Sequence, residues 1–272
     1  MEKEKTIPFL RWAGGKNWLI KYLDFIIGEN TFNNYHEPFL GGASLFFALN
    51  PPNESFLSDV NSELIETYIN LRDFPENVIS ELSEFKNSES FYYKIRRDKN
   101  QNPIFKAARF IFLNQTSFNG IFRVNLLGVY NVPYGFRKKP FYDPILLREV
   151  SNRLRNTHLI CCDFAETLQN IAYGDLVYLD PPYTVSHSNN GFIKYNQKLF
   201  SLEDQQRLSG FIDQIREIGA FYMLSNAYHP KIYEIFNKNE KIITLERASL
   251  IGGKNATRGK VKEYLFTNLN SH

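Results

Sequence analysis

The stretch GDLVYLDPPYTVS, residues 174–186, carries an unusual set of groups. An apolar run, Leu176 to Leu179, ends in Asp180-Pro181-Pro182-Tyr183. The two prolines remove two backbone donors and stiffen the turn. Pro182 also restrains Pro181 towards an extended conformation. The Asp180 carboxylate and the carbonyls beside it then form a cluster of acceptors, and Tyr183 adds an aromatic face. Acceptors next to a stacking surface suit a planar ring that bears an amino group. The plainer reading is an Asp-Pro turn that merely ends a strand. For a lone Asp-Pro that reading wins; for Asp-Pro-Pro-Tyr after an apolar run it does not.

Three further stretches hold residues that suit a ligand. In HEPFLGGASLFFAL, 36–49, a strand ends at Glu37-Pro38-Phe39, and Gly41-Gly42 open a helix. Paired glycines permit close backbone approach to a ligand, and helix N-termini favour anions. A dinucleotide pyrophosphate is a rival guest, but the G-x-G-x-x-G spacing is missing. In SFLSDVN, 55–61, Asp59 ends the next run about 20 residues later, where an acid can hold ribose hydroxyls. Asp59 or Asn61 could equally cap the succeeding helix. FLRWAGGK, 9–16, gathers Trp12, Gly14, Gly15 and Lys16 in one loop, without the spacing of a phosphate-binding P-loop.

These groups need a frame. The chain has 272 residues, 43% of them apolar, which supports a substantial core. Short apolar runs ending in polar residues recur at 34–40, 55–60, 158–163, 175–180, 220–226, 241–247 and 263–268. Helical patterns separate many of them, such as Ser201–Ile218, so a mostly parallel α/β sheet is expected. A Gly-rich link joins the last two runs with no helix between them, which predicts a terminal antiparallel hairpin at the sheet edge. Residues 61 to about 155 break the alternation. They read as helices, including Ser88–Asp98 and Pro103–Gln115, followed by a Gly/Asn-rich hairpin or long loop. The net charge of +3 is too weak by itself to imply a nucleic-acid partner. Cys161 and Cys162 are adjacent in an apolar run, so buried free thiols are expected, in keeping with a reducing compartment. The start, MEKEKTIPFLRW, holds no signal-peptide core. No segment approaches the roughly 18 apolar residues of a membrane span. A soluble cytoplasmic protein is expected.

Taken together, RWAGGK, EPFLGGAS, SDVN and LDPPY resemble, in residue type and order, the DNA adenine methyltransferases of the Dam type (the D12 class). The resemblance runs over nearly the whole chain. It implies a Rossmann-like S-adenosyl-methionine-dependent methyltransferase sheet, residues 1–60 and 156–272, with an inserted, mainly helical DNA-recognition domain, 61–155. It also implies S-adenosyl-L-methionine as methyl donor, S-adenosyl-L-homocysteine as product, and no metal. By similarity, Trp12 and Lys16 belong to a loop closing over the donor, Glu37, Phe39, Gly41 and Gly42 line it, and Asp59 holds its ribose. Asp163-Phe164, ending HLICCDF, contacts its adenine. Asp180 lies between donor and target base. Hydrogen bonds from the amino group to Asp180 and to the Pro181 carbonyl make a poor nucleophile more tetrahedral, while Tyr183 stacks on the base. The base must first leave the duplex.

The segment 114–140 contains four basic residues and no acid, which matches a DNA-facing loop. It resembles the recognition hairpin, here about 118–137, of Dam-type enzymes that methylate GATC. That match implies that Phe118 inserts into the stack, Asn119 lies near the orphaned partner base, and Arg123 pairs with guanine. Ile121 and Pro133 then pack on the thymine methyl, and Arg11 and Arg137 help read the outer base pair. Arg137 departs from the aromatic residue common there in the family. The plainer readings are core packing for Phe118 and Ile121 and a phosphate contact for Arg123. The basic runs 92–100 and 254–262 are phosphate tracks or merely solvated faces. The polar segment 184–197, with His187, is expected to form a mobile lid. The resulting expectation is N6-adenine methylation of duplex DNA, within GATC, by a monomer, with a cognate restriction endonuclease as a candidate partner. Alternatives are N4-cytosine methylation, a different or longer site containing GAT, methylation of RNA or protein, and a catalytically silent DNA-binding module.

Overall fold

The structure is a computed structural model that describes residues 6–125, 128–184, 200–248 and 260–269. The expected lid beyond Thr184, with His187, lies outside the described residues, as does most of the basic run 254–262. The helices are α1 (Leu23–Ile27), α2 (Ser44–Leu49), α3 (Ser62–Asp73), α4 (Pro75–Ser83), α5 (Glu89–Arg97), α6 (Pro103–Thr116), α7 (Pro144–Leu154), α8 (Leu202–Ile218) and α9 (Pro230–Phe236). The strands are β1 (Tyr35–Glu37), β2 (Ser55–Asp59), β3 (Thr157–Cys161), β4 (Leu176–Leu179), β5 (Phe221–Ala227), β6 (Lys241–Ala248) and β7 (Lys260–Thr267). They form one sheet in the order β3-β2-β1-β4-β5-β7-β6. β4 runs parallel to β1 and β5, whereas β7 is antiparallel to β5 and β6. This is a Rossmann-like α/β sheet with the expected antiparallel hairpin at one edge.

Local sequence explains the helix limits. Asn102 and Asp143 cap α6 and α7 through their side chains, each followed by a proline at the first helical position. Ser201 and Asp204 form a reciprocal capping box at the start of α8. α8 ends at Gly219, whose φ of 81° suits a residue without Cβ.

The chain divides into two compact units. The first holds Met1–Asn17, Leu40–Pro51 and Leu57–Cys162; the second holds Trp18–Phe39, Pro52–Phe56 and Asp163–His272. The core of the first is aromatic: the fully buried Phe112 meets Phe85, Phe91 and Phe141 edge-on at 5.4, 5.9 and 5.0 Å. In the second unit, Val177, Leu179, Tyr222 and Leu224 pack with Leu208, Phe211, Ile215 and Phe236.

Two expectations need revision. Cys161 is exposed and Cys162 half-exposed, not buried, because β3 is the edge strand of the sheet and part of it faces solvent. Among its described residues, the segment expected to read DNA shows no continuous hairpin ladder. Isolated bridges, Ser117 to Tyr134 and Val124 to Tyr130, pin an irregular loop. Asn119 and Phe136, both with positive φ, keep its backbone out of a regular pleat.

The starts of β1 and β4 are tied by one buried carboxylate. Asp175 accepts from the Asn34 and Ala172 amides at 3.0 Å each and from His36 Nε2 at 2.8 Å. His36 is fully buried and stacks on Phe56 at 4.8 Å. Burial lowers its pKa, against the opposing pull of Asp175. His36 therefore stays neutral in the fold where the unfolded chain already binds a proton, below about pH 6.5. In that window the unfolded state holds more protons, so stability falls as pH falls. Urea unfolding from about pH 7.5 to about pH 5.5 should show this loss, and His36→Gln should flatten it. A wild-type profile no steeper than that of the variant would contradict the assignment.

Candidate active site

The second unit carries the acceptor-rich turn. β4 is buried along its whole length and opens at Asp180, beside β1, where the strand order reverses. Ligands of open α/β sheets bind at such a reversal. Parallel pairing of His36 with Val177 and of Leu179 with Leu224 sets the register. Glu37, Tyr178, Asp180 and Ser225 consequently share one face of the sheet. Pairing of Ala227 with Glu263 adds Glu263 to that face.

Each part of the turn is held. Ser225 Oγ donates to Asp180 Oδ1 at 3.0 Å. Gln205 of α8 donates to Thr184 Oγ1 at 2.9 Å and to the Pro182 carbonyl at 3.5 Å, and is itself held by Asn226 at 3.0 Å. Thr184 donates to the Phe200 carbonyl at 2.9 Å. The Tyr183 hydroxyl donates to the buried Glu263, which also pairs with Arg247. Burial, then the charges of Glu263 and Asp180, push the Tyr183 hydroxyl well above its ordinary range, so it remains a donor. Glu37 accepts from Tyr35 at 2.9 Å. None of the hydrogen bonds among the described residues ends on the Pro181 carbonyl. The turn thus offers a carboxylate, a carbonyl and a ring, all braced from behind.

Other residues named from the sequence lie in the same unit. Phe39 stacks on Phe164 at 5.5 Å and meets Phe200 at 5.7 Å. Phe164 is core, 3% exposed. Asp163 caps the short 3-10 turn Phe164–Asn170 and pairs with Arg207 at 2.9 Å, while the Arg207 guanidinium lies 5.0 Å over the Phe164 ring. Sequence reading missed Ser225, Gln205, Glu263, Arg247 and Arg207. The polar pair Ser225-Asn226 ending the apolar run of β5 was the available signal for the first.

In the first unit, Asp59 accepts from the Gly41 and Asn61 amides at 3.0 Å each. Asn61 supplies the side-chain cap of α3, which separates the two readings of Asp59. Burial raises the Asp59 pKa against these amides. Gly41 has a φ of 46°, and a Cβ there would lie 2.7 Å from the Trp12 ring; at Gly42 it would lie 3.0 Å from Trp12 Cβ. The glycines therefore admit Trp12, whose ring also stacks near Phe122 at 5.8 Å and Phe110 at 6.4 Å. Lys16 is buried and donates to the Gly14 carbonyl at 2.9 Å.

The segment expected to read DNA belongs to the same unit. Phe118 is 53% exposed, which sets aside core packing for it. Its amide donates to the Pro133 carbonyl at 2.9 Å, so Phe118, Asn119 and Pro133 crowd one exposed crossing. Ile121 is half-buried. Arg123 is exposed, and its Nε donates to Asn131 Oδ1 at 2.8 Å. Arg11 is clasped by Asn114 through its backbone, and its guanidinium donates to the Ser117 carbonyl at 3.3 Å. Arg137 donates to Gln115 Oε1 at 2.6 Å. Burial, then the nearby Arg137 charge, lowers the Arg11 pKa.

A sheet of this order, with an acidic proline-stiffened turn at its reversal, defines a Rossmann-like α/β methyltransferase. The model of the D12 class N6 adenine-specific DNA methyltransferase matches residues 12–251, and the chain belongs to that family. It is 35% identical to the Type II methyltransferase M1.LlaDCHI of Lactococcus lactis subsp. cremoris, over 96% of this chain and 95% of the relative. It is also 35% identical to the Type II methyltransferase M.MjaIII of Methanocaldococcus jannaschii, over 85% and 89% of the two chains. A DNA adenine methylase of Serratia marcescens is 31% identical over 96% of this chain and 98% of its own. The activity is N6-adenine methylation of DNA, and S-adenosyl-methionine is the methyl donor that such a transferase uses. No helix among the described residues is long and apolar enough to cross a membrane.

Gly41→Ala should both strain the backbone and displace Trp12. We expect a loss of about 1–3 kcal/mol in urea unfolding and a shifted tryptophan emission. Unchanged stability and emission would contradict the packing described.

Proposed function

We propose that the enzyme flips an adenine out of duplex DNA, within GATC, and methylates its amino nitrogen. The observation that carries the target reading is the exposed Phe118, set beside Asn119 and Pro133 in a segment with four basic residues and no acid. An exposed aromatic wedge can fill the space of a departed base. Asn119 then faces the orphaned partner, Arg123 forks onto guanine O6 and N7, and Ile121 and Pro133 meet the thymine methyl. Arg11 and Arg137 take the outer base pair, for which two adjacent guanidinium groups supply the donors. Residues 61–155 serve as the target-recognition domain.

The amino nitrogen of adenine is a weak nucleophile because its lone pair is delocalised into the ring. Asp180 and the Pro181 carbonyl each accept one of its hydrogens, which favours a pyramidal nitrogen. Tyr183 holds the ring by stacking, with its hydroxyl fixed by Glu263. Three acids, Glu37, Asp180 and Glu263, face the same side of the sheet and favour the positive charge that develops on that nitrogen. S-adenosyl-L-methionine, when bound, supplies a sulfonium-activated methyl group and leaves as S-adenosyl-L-homocysteine. The residues fit that donor. The Asp59 carboxylate has about four lone-pair sites, and the Gly41, Asn61 and Val60 amides take three, so acceptor capacity remains for a ribose hydroxyl. By resemblance, Trp12, Lys16 and Gly42 of the first unit and Glu37, Phe39, Asp163 and Phe164 of the second are the remaining candidates to hold it. The protein acts as a monomer, alone or with a restriction endonuclease of the same specificity.

Labelled methyl transfer to plasmid DNA, followed by nucleases that cut only unmethylated or only methylated GATC, tests the target. Protection from the first and cleavage by the second are expected. Arg123→Ala should relax discrimination at one guanine by about 1–3 kcal/mol. Label without the GATC pattern would discard the site, and an equal loss on all sequences would make Arg123 a phosphate contact.

A further inference from the structure

Methyl transfer calls on Asp180, yet the hydroxyl pair behind that carboxylate has no role in the chemistry so far. Ser225 is 1% exposed and Tyr178 2% exposed. Ser225 Oγ donates to Asp180 Oδ1 at 3.0 Å, and Tyr178 Oη lies 3.0 Å from Ser225 Oγ. A carboxylate only accepts, so the Ser225 proton points at Asp180 and the Tyr178 proton must point at Ser225. Burial, then the charge of Asp180, raises the Tyr178 pKa well above its ordinary range, which keeps that donor protonated. The chain therefore runs one way, from Tyr178 through Ser225 to Asp180. Its geometry comes from register: Tyr178 and Asp180 are two residues apart on one strand, and Ser225 sits on the neighbouring strand one residue past the partner of Leu179.

We propose that Ser225, oriented by Tyr178, is a positioning residue for the methyl transfer. It fixes the rotation of the Asp180 carboxylate so that this group meets the amino group of the target base in a set direction. Removing it takes away one restraint on that rotation and loosens the alignment of the nucleophile. A misalignment of this kind lowers the rate of transfer and leaves substrate binding intact. The proposal rests on the reading of Asp180 as the acceptor that touches the base.

The test is single-turnover methyl transfer at saturating duplex and S-adenosyl-methionine, with equilibrium binding of both measured separately. Ser225→Ala should slow transfer by about tenfold or more, the scale of a lost hydrogen bond to a charged group, with both affinities within about twofold of wild type. Tyr178→Phe keeps the ring volume and should slow transfer in the same direction, by less. Ser225→Thr keeps a hydroxyl and should recover at least part of the loss. Thermal unfolding of each variant, with a single cooperative transition, establishes that the fold survives. Transfer by Ser225→Ala within about twofold of wild type overturns the proposal. So does a loss that resides in weaker binding, or one that Tyr178→Phe does not share. Asp180→Ala separates this failure from a deeper one. If Asp180→Ala still turns over, the catalytic reading of Asp180 falls; if it is inactive while Ser225→Ala is fast, only the positioning role falls.

Discussion

The pairing register of β1, β4, β5 and β7 is the constraint on which the candidate active site depends. Side chains alternate along a strand, so a slip of one residue would turn every one of them to the opposite face. In the observed register Glu37, Tyr178, Asp180, Ser225 and Glu263 form a polar stripe across four strands. Each member has a partner in that stripe or beside it. Ser225 bonds Asp180, Tyr183 bonds Glu263, Arg247 pairs with Glu263, and Tyr35 bonds Glu37. A buried charge is tolerated only when it is paired and hydrogen-bonded. Glu263 meets that condition through Arg247 and Tyr183, and Glu37 and Asp180 are hydrogen-bonded by Tyr35 and Ser225; on the proposed mechanism these acids lie where positive charge develops.

Rigidity is the second consequence. On the proposed mechanism a carboxylate and a carbonyl accept hydrogen bonds from one amino group, and such a pair cannot wander. Two prolines limit the backbone of the turn, while Gln205 and Glu263 brace Thr184 and Tyr183 directly after them. Thr184 is tied in turn to the Phe200 carbonyl. Such preorganisation means that little rearrangement accompanies the reaction. In the other unit the arrangement is different in kind. The segment proposed to read DNA carries two isolated bridges and scattered backbone hydrogen bonds among its described residues, and its exposed Phe118 and Arg123 stand on an irregular backbone. That suits contact with a partner whose own shape changes on binding.

Much of this was legible in the sequence. All seven strands begin or end within a few residues of an apolar run with polar termini, because a strand buried in an α/β sheet needs apolar length and its ends meet water. The Asp180 turn was legible because two prolines after an apolar run have few structural uses. Asp59 and Asn61 were not separable by type, since either can cap a helix; only geometry assigns the cap to Asn61 and the Gly41 amide to Asp59. Ser225, Glu263 and Arg247 were hidden for another reason. Their importance comes from which strands neighbour one another, and strand order is not written in local pattern. The exposure of Cys161 was missed likewise, because an edge strand and a central one can share the same residues.

The central claim is that the Asp180 carboxylate acts on the base and is not a mere turn residue. The most direct measurement is single-turnover methyl transfer by Asp180→Ala on duplex DNA, alongside its DNA affinity. The account predicts that transfer is abolished while DNA binding remains measurable. Turnover near the wild-type rate would contradict it.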